Sequence, residues 1–323
     1  MKKKVVILRE IPKIAEEILS SKFRVDINKS GEVLTREKLY RRVRGASAII
    51  SLLTDRIDEE VLHAAGEQLQ IVANYAVGYD NINLAACKKA GVIATNTPGQ
   101  LTESVAEHAM ALLLTASRRI IEADKFMREG KYKRWEPLIF YGEPIIGRTV
   151  GIIGAGRIGA AFARMCHNGF RMKVLYYDVQ PNYQLEREIG AAKKSINYIL
   201  KNADVVSLHV PLLPSTKHLI GKEELWTMKK GAILINTSRG KVIKEKYLVG
   251  ALKEKRIFAA GIDVFEHEPK LEPGLISLPN VVLTPHIASA TLFARNQMAQ
   301  MAARNVLMVL MGSKPVNPIE SKY

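Results

Sequence analysis

Three polar residues follow apolar, strand-like runs in the second half of the chain. Arg239 lies in Asn236-Thr-Ser-Arg239-Gly after AILI, Asp263 closes FAAGI with Glu268 five residues on, and His286 follows VVLTP. In an open parallel sheet the carboxyl ends of the strands form one edge, and ligands bind there. Arginine, acid and histidine at that edge have a coherent chemistry. A histidine beside a carboxylate is a general acid or base near neutral pH, and a guanidinium fork grips a carboxylate through paired hydrogen bonds. Taken singly, each also has a structural reading: an arginine after a strand as a surface ion pair, a Glu–His contact as a brace.

A second motif supplies a partner for such a site. Gly151-Ile-Ile-Gly154-Ala-Gly156-Arg-Ile-Gly159 follows a strand-like run and opens a helical one, the context that gives a G-x-G-x-x-G match its meaning. Gly154 suits the tight turn, Gly156 lets backbone approach a pyrophosphate, and Gly159 lets helix and strand pack closely. The first-turn amides near Arg157 and Ile158 face the anion. The next strand, Lys173-Val-Leu-Tyr-Tyr, ends at Asp178, where a carboxylate accepts from the adenosine ribose and repels a ribose phosphate. The expected ligand is a dinucleotide, NAD(H) in preference to NADP(H).

The elements that must hold these residues alternate between strand and helix from the first residue, which predicts an α/β protein with parallel sheets. In the first third KVVIL, FRVDI, ASAIISLL, LQIVANY and GVIATN are β-rich runs, five steps for which a flavodoxin-like winding is expected. Leu101 to Gly130 reads as one long connector helix, and Lys131 to Arg148 is turn-rich, with Trp135, Pro137, Gly142, Pro144 and Gly147. Then TVGIIG, KVLYYD, ADVVSLHV, AILINTS, FAAGIDV and VVLTPH make a six-strand Rossmann series, and Ala290–Gly312 is a terminal helix expected to pack back on the first unit.

Bulk properties narrow the classes. A chain of 323 residues holds two domains at about 150 residues each. With 47% hydrophobic and 25% charged residues it has an ordinary globular composition. The apolar stretch Val5 to Leu8 is too short for an export signal, and no run approaches the ~20 apolar residues of a membrane span. The net charge of +16 raises nucleic acid as a partner, but the basic residues are scattered in twos and threes, which favours a solvated basic surface that steers small anions. Cys87 and Cys166 read as buried thiols in a reducing cytoplasm. Of the other six histidines, His63, His108 and His167 fall in helical patterns as packed or solvated residues, His218 and His267 in loops, and His209 ends a strand whose backbone can approach the cofactor. No pair has zinc-site spacing, so no catalytic metal is expected. No G-x-S-x-G elbow or Walker loop is present.

Asn74-Tyr-Ala-Val-Gly78-Tyr-Asp-Asn-Ile82, Asn96-Thr-Pro-Gly99, Thr102-Glu-Ser-Val-Ala-Glu-His108, the glycine loop, the Arg239 segment, Gly261-Ile-Asp-Val-Phe-Glu-His-Glu268-Pro and Thr284-Pro-His286-Ile together resemble the D-isomer-specific 2-hydroxyacid dehydrogenases. Lys133-Arg-Trp135-Glu-Pro137-Leu is most similar to their glyoxylate/hydroxypyruvate reductase branch. The resemblance implies a flavodoxin-like substrate domain from residues 1–99 and 289–323 and a Rossmann NAD-binding domain from 100–288. It implies that Arg239 binds the substrate carboxylate and polarises its oxo group, that His286 exchanges the proton, and that Glu268 holds His286 and favours its charged form. It further implies carboxylate contacts from the amides of Val77 and Gly78. Cofactor contacts would come from Arg157, Ile158, Asp178, His209, Thr237, Asp263 and Ala288. A homodimer around the connector helix is implied as well, with Trp135 either reaching the partner's substrate cleft or anchoring its own loop.

The reaction expected is NADH-dependent reduction of a short 2-oxoacid to the D-2-hydroxyacid. The competing readings are a D-3-phosphoglycerate dehydrogenase-like enzyme and a non-catalytic NAD(H)-sensing scaffold on the same fold. Neither nucleic acid nor membrane is an expected partner.

Overall fold

The computed structural model describes residues 2–319. The chain divides into two compact units, one running to Leu101 and resuming at Ala290, the other Thr102–Ser289.

The first unit contains β1 (Lys4–Ile7), α1 (Ile14–Ser20), β2 (Arg24–Ile27), α2 (Arg36–Val43), β3 (Ala48–Ser51), α3 (Glu59–Ala65), β4 (Ile71–Asn74), α4 (Leu84–Lys89) and β5 (Ile93–Thr95). The helices begin where capping side chains permit: Thr35, Asp58 and Asn83 each accept a first-turn amide hydrogen bond. The strands form one parallel sheet in the order β2-β1-β3-β4-β5, the flavodoxin-like winding expected. β3 and β4 are buried along their whole length, as strands covered on both faces must be.

The second unit begins with α5 (Thr102–Ser117) and α6 (Ile120–Arg128). The single connector helix expected over 101–130 is therefore broken. Arg119 adopts a left-handed backbone (φ 53°) and its guanidinium pairs with Glu122 through hydrogen bonds of 2.9 and 2.6 Å, so a side-chain clamp ends one helix and starts the next without glycine or proline. There follow β6 (Thr149–Ile153), α7 (Arg157–Phe170), β7 (Lys173–Tyr177), α8 (Tyr183–Ile189), β8 (Ala192–Lys193), α9 (Ile196–Asn202), β9 (Val205–Leu208), α10 (Lys222–Thr227), β10 (Ile233–Asn236), α11 (Glu245–Lys253), β11 (Ala259–Ile262) and β12 (Val281–Leu283).

These strands form a seven-stranded parallel sheet ordered β12-β11-β10-β9-β6-β7-β8, one strand more than the six expected. The extra edge strand, β8, pairs only Ala192 and Lys193 with β7, too short to leave a periodic signal. One face of the sheet is packed by α5, α7 and α8 through residues such as Leu112, Leu113, Phe162 and Leu185. The other is packed around Ile199, Leu225, Leu248 and Leu252 of α9, α10 and α11. α5 comes so close to β11 that a Cβ on Gly261 would lie 2.8 Å from Leu112 Cβ. The strand order reverses between β6 and β9, the switch point at which such sheets bind ligands.

The terminal helix α12 (Leu292–Leu310) returns to the first unit, packing on α1 and β4, as the sequence led us to expect. No helix among the described residues is long and apolar enough to cross a membrane.

Candidate active site

β10, β11 and β12 lie side by side, so the segments that follow them share one edge of the sheet. Beyond β10 the buried Asn236 shapes the loop. Its Oδ1 accepts from Ser238 N (3.0 Å) and Oγ (2.9 Å), and its Nδ2 donates to Arg239 O (3.0 Å). This Asx-type turn presents Arg239 half-buried, with Nη1 donating to Ser238 O at 2.8 Å.

Beyond β11 the carboxylate of Asp263, fully buried, is spent on the segment after β12. Oδ1 accepts from Thr284 Oγ1 (2.6 Å) and Ile287 N (2.8 Å), and Oδ2 from Ala288 N (2.9 Å). Burial alone would raise this carboxyl, but hydrogen bonds from His108, Thr284, Ile287 and Ala288 outweigh it and hold Asp263 below the ordinary carboxylate range.

Between these anchors His286 has a left-handed backbone (φ 55°), an uncommon state for a non-glycine residue. Its N–H donates to Asp263 O (2.9 Å) and Thr284 O (3.0 Å). The imidazole Nδ1 lies 3.1 Å from Glu268 Oε2, while Glu268 Oε1 accepts from Phe265 N at 2.9 Å. Burial would push Glu268 up, yet the bonds from His286 and Phe265 and the charge of Arg239 hold it below the usual range. An ionised carboxylate only accepts, so Nδ1 carries a proton and Nε2 is the nitrogen free to exchange one.

The glycine loop sits at the switch point. Gly154 has φ +98°, and a Cβ there would lie 2.8 Å from the His209 carbonyl, so the turn and its approach to the segment that directly follows β9 both require glycine. On Gly159 a Cβ would come within 2.0 Å of Gly154 O, whereas on Gly156 it would meet nothing within 4 Å. The missing side chain at Gly156 thus opens the approach to the first turn of α7, where Arg157 and Ile158 supply amides without intrahelical acceptors. Asp178, half-buried, directly follows β7, and Asn182 beyond it ties that segment to the loop by donating Nδ2 to Ala155 O at 2.8 Å. Thr237 Oγ1 is buried without a hydrogen-bond partner. An open face over a helix N-terminus, an acid after the second strand and an orphaned hydroxyl at the sheet edge fit a dinucleotide.

His209 directly follows β9, with its ring bonded to Ser207 Oγ (2.8 Å) and tilted against Phe162, centroids 5.4 Å apart. Burial pushes it down to about 3, so it is neutral at physiological pH. In the first unit Val77 and Gly78 follow β4. Their carbonyls accept from Asn96 Nδ2 (2.7 Å) and Asn74 Nδ2 (2.8 Å). A trans peptide points its N–H opposite its carbonyl, so holding Val77 O also orients the Gly78 amide.

Two groups went unrecognised as part of this edge. His108, taken as a packed or solvated helix residue, reaches Thr284 Oγ1 at 3.0 Å and Asp263 Oδ1 at 3.4 Å. Glu266, 4% exposed, accepts from His218 Nε2 (2.7 Å), Lys244 Nζ (2.8 Å) and Glu245 N (3.1 Å), while Glu245 Oε1 accepts from Glu266 N (2.8 Å). The only sequence signal for His108 was its place in the Thr102–His108 run; the Glu266 cluster had none. Among the described residues no three His, Cys, Asp or Glu side chains gather in a way that could hold a metal ion. Cys87 and Cys166 are buried free thiols, and burial pushes Cys87 up to about 11.

Residues 110–288 match the model of the D-isomer specific 2-hydroxyacid dehydrogenase NAD binding domain. The chain belongs to that family. Along its whole length it is 47% identical to a glyoxylate reductase of Korarchaeum cryptofilum, of which 97% is covered. Among solved structures it is similar to a Thermus thermophilus protein at a TM-score of 0.92 and 40% identity, covering 98% of this chain and 100% of the other. It is also similar to an NADPH-dependent glyoxylate/hydroxypyruvate reductase of Sinorhizobium meliloti at a TM-score of 0.86 and 30% identity, covering 99% and 97%. Membership makes this dehydrogenase a nicotinamide-dinucleotide enzyme, and its second unit contains the domain that binds the dinucleotide.

Proposed function

We propose that this dehydrogenase reduces a short 2-oxoacid of the glyoxylate or hydroxypyruvate class to the D-2-hydroxyacid, using NADH in preference to NADPH. The observation that carries the proposal is the pairing of His286 Nδ1 with Glu268 at 3.1 Å, beside the Arg239 loop on the adjoining strand end. The bound nicotinamide supplies the hydride.

Gly154, Gly156, Arg157, Ile158 and Gly159 hold the pyrophosphate on backbone amides, and Asp178 takes the ribose hydroxyls. His209, Thr237 and Ala288 line the nicotinamide end, and Asp263 serves it by fixing the Ile287–Ala288 backbone. Arg239 grips the substrate carboxylate and draws charge toward the oxo oxygen, with the Val77 and Gly78 amides assigned to the same carboxylate. His286 gives its Nε2 proton to that oxygen in reduction and recovers it in oxidation, and Glu268 stabilises the imidazolium. We assign the first unit to substrate binding.

The working form is proposed to be a homodimer. Ile120, Ile121, Met127, Tyr132, Leu138 and Tyr141 are exposed along one stretch of chain, a run of apolar surface suited to a second copy. The 75% exposure of Trp135 supports the reading in which it reaches the partner's substrate cleft over the one in which it anchors its own loop. A cytoplasmic setting suits the two free thiols.

The test is a panel of 2-oxoacids assayed with NADH and with NADPH by absorbance, with sedimentation in parallel. Highest kcat/KM on glyoxylate or hydroxypyruvate with NADH, in a dimer, is expected. A preference for bulky or phosphorylated acids would contradict the substrate class, NADPH preference the cofactor, and a monomer at assay concentration the assembly.

A further inference from the structure

We infer that His108 is a positioning residue for the catalytic histidine: from α5 it donates through Thr284 to Asp263, and that chain of hydrogen bonds holds the His286 backbone in its left-handed turn. The inference rests on the reading of His286 as the acid/base.

The direction of the chain follows from proton counting. Thr284 has one hydroxyl proton, and at 2.6 Å it goes to Asp263 Oδ1, because an ionised carboxylate can only accept. The 3.0 Å contact between Thr284 Oγ1 and His108 Nε2 must then be a donation from Nε2–H to the hydroxyl oxygen. His108 is thereby fixed as the Nε2–H tautomer, and its donation polarises the Thr284 hydroxyl toward Asp263. At the far end the same carboxylate accepts from Ile287 N and Ala288 N, the two residues after His286.

A left-handed conformation at a residue with a Cβ persists only where its surroundings impose it. Here the imposing groups are the Asp263 carbonyl under the His286 amide and the Asp263 carboxylate under the next two. Without the His108 donor behind it, the Thr284 hydroxyl is less firmly aimed at the fully buried Asp263 carboxylate, the backbone that this carboxylate holds after His286 loosens, and the imidazole drifts from the geometry that proton transfer needs. His108 itself is half-buried, with Nε2 3.0 Å from Thr284 Oγ1 and 3.4 Å from Asp263 Oδ1, so its influence on His286 runs through Thr284 and Asp263.

His108→Phe keeps a ring of similar size and removes the donor; His108→Gln restores an N–H on a shorter arm. With glyoxylate and saturating NADH, the Phe variant is expected to lose kcat by about tenfold, the worth of one good hydrogen bond, while KM for glyoxylate and the fluorescence-measured NADH affinity stay within about twofold. The Gln variant should recover most of that loss. A Phe variant with wild-type kcat, a loss that appears in KM or NADH affinity instead of kcat, or Phe and Gln variants equally slow would each overturn the role of the donor. His286→Ala run alongside separates the two claims: if it still turns over, the acid/base reading has failed, whereas an inactive His286→Ala beside a fully active His108→Phe means that only the present inference has.

Discussion

Gly240 is pressed against Phe265 so tightly that a Cβ on it would lie 1.9 Å from the Phe265 carbonyl carbon. Gly240 follows Arg239, and Phe265 donates its amide to Glu268, so this contact braces the arginine loop on the turn that carries the histidine's carboxylate. Gly240→Ala must force the two apart. A fall of at least about 100-fold in kcat/KM for glyoxylate is expected, with NADH affinity within a few-fold of wild type because the glycine loop is remote from the change. Gly156→Ala is the contrast: a Cβ there meets nothing within 4 Å, so the melting temperature should hold while NADH binding weakens. Paired kinetics, fluorescence titration and melting curves check both, and an active Gly240→Ala would show that the brace is dispensable.

In the proposed reading Asp178 sets the cofactor preference. It follows β7, and Asn182 fixes its segment to the glycine loop through the Ala155 carbonyl. A carboxylate at the ribose repels a phosphate there, so Asp178→Ala should cut the ratio of kcat/KM for NADH over NADPH by about tenfold or more, chiefly by raising KM for NADH. An unchanged ratio would place discrimination elsewhere.

Most of the fold was legible because its signals are local. Strand runs bounded by turns, capping residues at Thr35, Asp58 and Asn83, and a glycine loop between strand and helix all declare themselves within a few residues. What was missed depends on contacts between distant parts of the chain. The break after α5 needs the Arg119–Glu122 clamp rather than a breaker residue, and β8 exists only because β7 offers an edge. The candidate triad could be placed because each member follows a strand, which topology alone brings to one edge. The support beneath it could not: His108 and Thr284 are 176 residues apart, and only the close packing of α5 on the sheet joins them.

Glu245 makes stability depend on pH. It is 1% exposed, and burial, with the nearby charges of Glu266, Glu272 and Glu268, pushes its carboxyl from the ordinary 4.5 up to about 7. Between those values the folded protein keeps a proton that the unfolded chain has lost, so this group's contribution falls as pH rises through that window. Glu245→Gln should therefore be more stable than wild type above pH ~7, by on the order of 2 kcal/mol, with no such gain below pH ~4.5. Melting temperatures across that range decide it, and parallel curves for the two proteins would mean that Glu245 is ionised throughout.

In the proposed reaction His286, held by Glu268, moves the proton in a 2-oxoacid reduction. Glyoxylate-dependent oxidation of NADH by the wild-type protein and by His286→Ala, with NADH binding to each followed by fluorescence, tests it most directly. Steady turnover by the wild type is expected, with a loss of about 1000-fold or more in the variant and NADH affinity retained, because the proton donor is gone and the dinucleotide loop is untouched. A wild-type protein that binds NADH without oxidising it on glyoxylate, or a variant that turns over at a comparable rate, would contradict it.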